Sequence, residues 1–115
     1  MERARRLRKG REFDELYEQG TVVSGPLLVL RYRANGGPLT RWGFAVGRRT
    51  ARKAVERNRV RRRLREAART LPVAEGYDIV VTARGGAVSA SYWELRAALE
   101  GLLRRAGLLA EDKEA

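Results

Sequence analysis

Between residues 48 and 65 the chain carries ten Lys or Arg residues and a single acid, Glu56. Threaded through and just beyond that run, Val60, Leu64, Ala67 and Leu71 recur at alternating four- and three-residue spacing. At about 100° per residue they fall within about 40° of one line on a helix. The pattern therefore demands a helix with one apolar stripe turned to a core and basic faces elsewhere. Asn58, Arg61, Arg62, Arg65 and Arg69 lie opposite the stripe, about 100° to 200° away, and Arg59, Arg63 and Glu66 make a third strip. Exposed helices ordinarily alternate acids and bases at i,i+4, gaining a few tenths of a kcal/mol per pair. Here Arg61, Arg65 and Arg69 stack at that spacing with no acid between them, a repulsive arrangement that an external polyanion would neutralise. Pro72 forbids continuation, so the helix ends near Leu71.

The rest of the composition points the same way. In 115 residues, 25 Lys and Arg against 14 Asp and Glu leave a net charge of +11, a balance that favours nucleic acid or an anionic membrane surface as partner. Hydrophobic residues make up 43% of the chain, enough for one core in one domain. The absence of Cys excludes disulfides and thiolate metal sites. No apolar run approaches the roughly 18 residues of a membrane span, and the charged segment after Lys9 is not a secretory signal. The cytoplasm is the default compartment, and no membrane partner is expected. Arg dominates over Lys; its planar fork suits phosphate oxygens and base faces, although codon bias would explain the ratio as well.

Residues 1–10 form a basic arm, expected to be flexible without its partner. Phe13, Leu16 and Tyr17 at i, i+3 and i+4 mark a short helix from Arg11 to Gln19, stopped by Gly20. Thr21 to Ala34 reads as a short strand and a longer one, broken at Gly25-Pro26. A turn cluster, Asn35 to Pro38, leads to a strand at Arg41–Val46, expected as the hairpin partner of the strand before it. Tyr77–Ala83 is a continuous apolar run suited to an interior strand. Ser91 and Glu94 are spaced as a capping box for a helix that carries Tyr92, Leu95, Leu99, Leu102 and Ala106 on one stripe and stops at Gly107. Residues 108–115 read as a frayed acidic tail. The fold class is α+β, an α/β sandwich in one domain over residues 11–107. The order is α-β-β-β-α-β-α, with a four-stranded sheet packed by helices. Trp42 and Trp93 are expected in core or structural positions, and Trp93 lies off the apolar stripe.

The segment Lys53-Ala-Val-Glu-Arg-Asn-Arg-Val-Arg-Arg-Arg-Leu-Arg-Glu66 resembles the signature of the bacterial ribonuclease P protein component family. That pattern is Ala-Val-x-Arg-Asn-x-x-Lys/Arg-Arg-x-x-Arg-Glu. Gly43-Phe-Ala-Val-Gly-Arg-Arg49, Leu7-Arg-Lys-Gly-Arg-Glu-Phe13 and Asp78-Ile-Val-Val-Thr-Ala-Arg84 are similar to the family's other segments, in its order and near its spacing. Two departures concern one loop: Arg52 stands where the family usually has Gly, and Thr50 to Lys53 is one residue longer than in some relatives. The resemblance implies a left-handed βαβ crossover, against roughly 98% of parallel crossovers being right-handed. It also implies two RNA surfaces. Arg57, Asn58, Arg61, Arg62, Arg65 and Arg69 would bind the catalytic RNA. Phe13, Tyr17, Arg31, Arg48, Arg49 and Lys53 would hold the single-stranded 5′ leader of precursor tRNA in a cleft between the first helix and the sheet. For Phe13 and Tyr17, core packing is an equally good account of the spacing; exposure beside Arg31 or Arg48 would favour base stacking.

A protein nuclease ordinarily uses His as acid and base, or clustered carboxylates around metal ions. The chain has no His, and Asp78, the one acid near a strand start, reads as a structural hydrogen-bonding group. No catalytic or metal-binding residue is expected in the protein. Mg²⁺ would be held by the RNA subunit, and one protein would join one RNA. Two other classes fit the bare composition: a ribosomal or ribosome-assembly RNA-binding protein, and a DNA-binding architectural protein.

Overall fold

The structure, a computed structural model, describes residues 2–8 and 10–110. Its elements are α1 (Arg11–Gln19), β1 (Thr21–Ser24), β2 (Leu28–Ala34), β3 (Arg41–Ala45), α2 (Ala54–Thr70), β4 (Tyr77–Ala83) and α3 (Tyr92–Ala106). Short 3-10 turns occupy Arg3–Arg5 and Gly85–Val88. The strands form one mixed sheet in the order β1-β2-β4-β3, in which β4 runs antiparallel to β2 and parallel to β3.

The apolar run of β4 takes the interior position, with Ile79, Val80 and Val81 all fully buried. Its placement corrects the expected hairpin. β3 does not pair with β2; β4 inserts between them, while β2 makes its hairpin with β1. A strand apolar on both faces gains most from the centre of the sheet, and half-polar β3 (Arg41, Trp42, Gly43, Phe44, Ala45) is left at the edge.

Strand alternation then divides the core. Leu28, Leu30, Ile79, Val81 and Trp42 point to the face covered by α2 and α3, where they meet Val60, Leu64, Ala67, Leu95, Leu99 and Leu103. Val80 points to the other face, against Leu7 and Leu16 with Phe13 beside them. α3 begins with the capping box foreseen from Ser91 and Glu94 and ends at Gly107, whose φ of 73° is in the left-handed region that glycine adopts without strain.

Both ends of the chain carry contacts that hydropathy does not foretell. Leu7 is buried and its N–H donates to the Trp42 carbonyl at 2.9 Å, so the arm lies along the free edge of β3. Arg5 holds Glu75 through two hydrogen bonds of 2.7 Å. At the other end, the frayed tail expected from Leu108 is corrected over residues 108–110. Leu108 and Leu109 are fully buried, and the Ala110 N–H donates to the Pro72 carbonyl. The turn at Gly107 folds these two leucines back onto the core, a geometry that the charge of the residues after them hides. The remainder of the expected tail, 111–115, lies outside the described residues.

Glu75 makes the arm sensitive to acid. The Arg5 guanidinium, together with the Thr40 N–H, holds its carboxyl down to about 2 against an ordinary value of 4.5. A depressed carboxylate contributes stability that is complete above its unfolded value and is lost as pH falls through the folded one. The pair is partly exposed, so its contribution is about 1 kcal/mol or less. Exchange at the Leu7 amide should therefore accelerate between about pH 5 and pH 2 while the Val81 amide stays protected. Glu75→Gln at neutral pH should reproduce the fast exchange at Leu7; slow exchange in that variant would show that Arg5 and Glu75 do not hold the arm.

Candidate nucleic-acid interface

The expected stripe of α2 is buried at Val60, Leu64 and Ala67, with Leu71 just after the helix also buried. That orientation fixes the remaining faces. Asn58 and Arg62 are exposed and Arg61 and Arg65 half-exposed. Among the described residues no carboxylate forms an ion pair with Arg57, Arg61, Arg62 or Arg65, nor with Arg48, Arg49, Arg52 or Lys53. Arg61 donates to the Asn58 side-chain oxygen at 2.9 Å, which orients both groups outward.

Two arginines of the helix have internal tasks. Arg57 donates to the carbonyls of Ala51 and Arg52 at 3.0 and 2.8 Å, tying the loop before α2 to the helix. Arg69 is paired with Glu66 at i,i+3 by two hydrogen bonds. The sequence reading placed Glu66 on a different strip and missed this pair, which partly neutralises the C-terminal end of the basic face. The loop itself needs no glycine at Arg52, because no described non-glycine residue has a positive φ. The Gly47 carbonyl accepts from the Thr50 and Ala51 N–H groups, and Ala51 is buried.

The second surface is built on the face of the sheet that α1 crosses. Register gives that face three cross-strand rows: Arg33–Asp78–Arg41, Val22–Arg31–Val80–Gly43 and Ser24–Val29–Thr82–Ala45. Glu12 and Glu15 of α1 pair with Arg41 and Arg33 over the first row. Phe13 and Tyr17, one turn apart, address the second row: the Phe13 ring lies on Gly43, and the Arg31 guanidinium sits over the Tyr17 ring at 4.6 Å. The third row retains solvent exposure. A cavity of about 500 Å³ opens beside it, lined by Gly10, Phe13, Phe44, Ala45, Val46, Gly47 and Arg61.

The aromatic pair thus divides. Phe13 is half-buried against Leu7, Leu16 and Val80, so it is core on one side and cavity wall on the other. Tyr17 is 44% exposed with a cation on its face, the arrangement that favours stacking over packing. Gly43 is what allows α1 to lie so close: a Cβ there would meet the Phe13 Cζ at 2.5 Å. Arg48, Arg49 and Lys53 are exposed on the loop that follows Gly47, itself a cavity-lining residue.

Asp78 is held in the first row. It accepts from Arg41 through both carboxylate oxygens and from the Asn35 amide at 2.9 Å. Arg41 also takes Glu12, and its guanidinium is raised above its ordinary value first by the hydrogen bond to Asp78. The group fixes α1 to the sheet and so sets where Phe13 and Tyr17 stand. Trp42 is buried as expected, whereas Trp93 is 71% exposed on the first turn of α3, correcting the expectation of a core or structural position. Its angle gives the reason: two residues before Leu95, it lies about 160° around the helix from that buried side chain.

Sheet, basic helix and aromatic cleft together define a small single-domain α+β protein of the nucleic-acid-binding class. The family model described as Ribonuclease P matches residues 1–107. The ribonuclease P protein component of Symbiobacterium thermophilum is 44% identical over 97% of this chain and 99% of its own length. That of Caldanaerobacter subterraneus is 36% identical over 98% and 97%. Among solved structures, the RNase P protein of Thermotoga maritima superposes with a TM-score of 0.80 at 32% identity, covering 87% of this chain and 96% of that one. The Staphylococcus aureus protein gives 0.83 at 26% identity, with 93% and 99% covered. The chain belongs to the ribonuclease P protein family, as the protein component of the endoribonuclease that processes the 5′ end of precursor tRNA. This decides between that reading and the ribosomal and architectural ones that composition leaves open.

Proposed function

We propose that the protein binds two RNAs on two surfaces. The exposed face of α2, through Asn58, Arg61, Arg62 and Arg65 with Arg69 at its margin, takes the phosphate backbone of the catalytic RNA in a one-to-one complex. Arg57 belongs to this surface by holding its loop. The cleft between α1 and the sheet takes the 5′ leader, with Tyr17 and the free side of Phe13 stacking on bases and Arg31, Arg48, Arg49 and Lys53 on phosphates. The carrying observation is that Arg61, Arg62 and Arg65 of α2 face no carboxylate, while an exposed, cation-capped Tyr17 stands on the α1 side of the sheet; Arg61 reaches the cavity wall, where the two surfaces adjoin. Unpaired arginines favour backbone contacts whose strength falls with salt, while aromatic platforms favour single strands without sequence preference.

Chemistry belongs to the RNA in this account. Asp78 and Glu12 are both engaged by Arg41, and among the described residues no group of three His, Cys, Asp or Glu is placed to hold a metal ion. Mg²⁺, held by the RNA, supplies the charge stabilisation for phosphodiester hydrolysis. No helix among the described residues is long and apolar enough to cross a membrane, and the cytoplasm, where precursor tRNA is made, is the compartment we assign. The test is affinity: adding the protein to the catalytic RNA should strengthen binding of precursor tRNA more than of mature tRNA. Equal strengthening of both would contradict a leader cleft.

A further inference from the structure

We propose that Trp93 is a stacking platform for an unpaired base of the catalytic RNA, extending the basic face of α2 onto the first turn of α3. The inference rests on the reading that α2 binds that RNA. Of the two tryptophans in the chain, Trp42 is 5% exposed and Trp93 71%. The exposed indole is also firmly mounted. Tyr92 packs against the core and meets the Trp93 ring edge-on, with centroids 5.0 Å apart and planes at 77°. The capping box between Ser91 and Glu94 locks the backbone on either side. A side chain presented in this way loses little entropy on stacking, which is how aromatic residues serve as rigid anchors for ligands.

The mount is joined to the arginine helix at two places. Arg63 donates to the Ala90 carbonyl at 2.8 Å, and Arg96 to the Thr70 hydroxyl at 3.1 Å. Trp93 therefore stands one helical turn from Arg96, whose guanidinium reaches the C-terminal end of α2 at Thr70. Both helices pack on the side of the sheet opposite α1, and no residue of α3 lines the cavity beside Phe13. A protein partner or a second copy would need a broad apolar surround. One turn along α3 from Trp93 lie only Arg96, paired with Glu100 at 3.7 Å, and the small side chain of Ala97. A flat ring beside a guanidinium group matches a base with its phosphate.

The experiment uses the full chain and the catalytic RNA without substrate. Trp93→Ala should lower affinity roughly tenfold and leave the salt slope unchanged, because no phosphate contact is lost; Trp93→Tyr should restore most of it. In a Trp42→Phe variant Trp93 is the sole indole, and saturation with RNA should quench its emission and shield it from acrylamide. Wild-type affinity in Trp93→Ala, or an indole still open to acrylamide at saturation, would overturn the proposal. So would shielding that appears in protein alone on concentration, or only when precursor tRNA is added. Loss of affinity in Arg61→Ala with none in Trp93→Ala would sink the platform alone; no loss in either would sink the α2 reading beneath it.

Discussion

Replacing Arg61 and Arg65 together by Ala should weaken binding to the catalytic RNA by at least about a hundredfold and lower the salt slope by about two units at most. Each lost hydrogen bond between charged groups contributes about 1.5–3 kcal/mol, and each phosphate contact accounts for about 0.9 of slope. The fold should not suffer. Ala is the stronger helix former, neither arginine carries an ion pair, and relief of i,i+4 repulsion offsets lost packing. Melting temperature therefore separates the two effects, because binding falls while stability holds. Arg69→Ala is the internal control. Its guanidinium is already shared with Glu66, so its loss should cost less than either of the others. An unchanged slope in the double variant, or an equal cost at Arg69, would mean that the bare stretch of α2 is not where the phosphates sit.

Gly43→Ala should remove most of the preference for precursor over mature tRNA while sparing affinity for the catalytic RNA. The added methyl must displace the Phe13 ring, since it would otherwise lie 2.5 Å from the ring carbon. Displacing it moves one wall of the cavity and tilts α1 against the anchor formed by Glu12, Arg41 and Asp78. Overpacking costs about 1–3 kcal/mol of stability, so a second variant is needed. Phe13→Leu keeps apolar volume against Leu7, Leu16 and Val80 but removes the stacking face. Together with Tyr17→Ala it should lower precursor affinity by about 5- to 100-fold. Wild-type discrimination in both the Gly43 and the Phe13–Tyr17 variants would show that the leader is held elsewhere.

These two results probe features of very different legibility. The stripe of α2 could be read because a single helix obeys a period of 3.6, and the buried Val60, Leu64 and Ala67 follow from their spacing, with Ala68 the one buried position on the helix beyond it. The capping box at Ser91 and the interior character of Tyr77–Ala83 were legible for the same local reason. Sheet order was not. Whether β3 pairs with β2 or with β4 depends on which arrangement buries β4 on both faces, and no property of the Asn35–Pro38 turn records that. The Glu66–Arg69 pair was legible too, since i,i+3 side chains meet on a helix, whereas the return of Leu108 and Leu109 to the core depends on the turn at Gly107, to which periodicity is blind. Phe13 and Tyr17 show both limits at once. Their i,i+4 spacing says that they share a face, but only the register of Gly43 and Arg31 beneath them separates the half-buried ring from the exposed one.

The central claim is that this protein contributes binding and charge neutralisation while the RNA performs the chemistry. Single-turnover cleavage of precursor tRNA across Mg²⁺ concentrations, at saturating protein, tests it most directly. Wild-type protein should raise the rate most where Mg²⁺ is scarce and RNA self-repulsion least screened, and the advantage should shrink as Mg²⁺ rises. Asp78→Asn, which loosens the anchor of α1 but removes the one carboxylate near a strand start, should match wild type in the cleavage step at high Mg²⁺. A large loss of that rate in Asp78→Asn, with folding and RNA binding intact, would place a catalytic carboxylate in the protein and contradict the account.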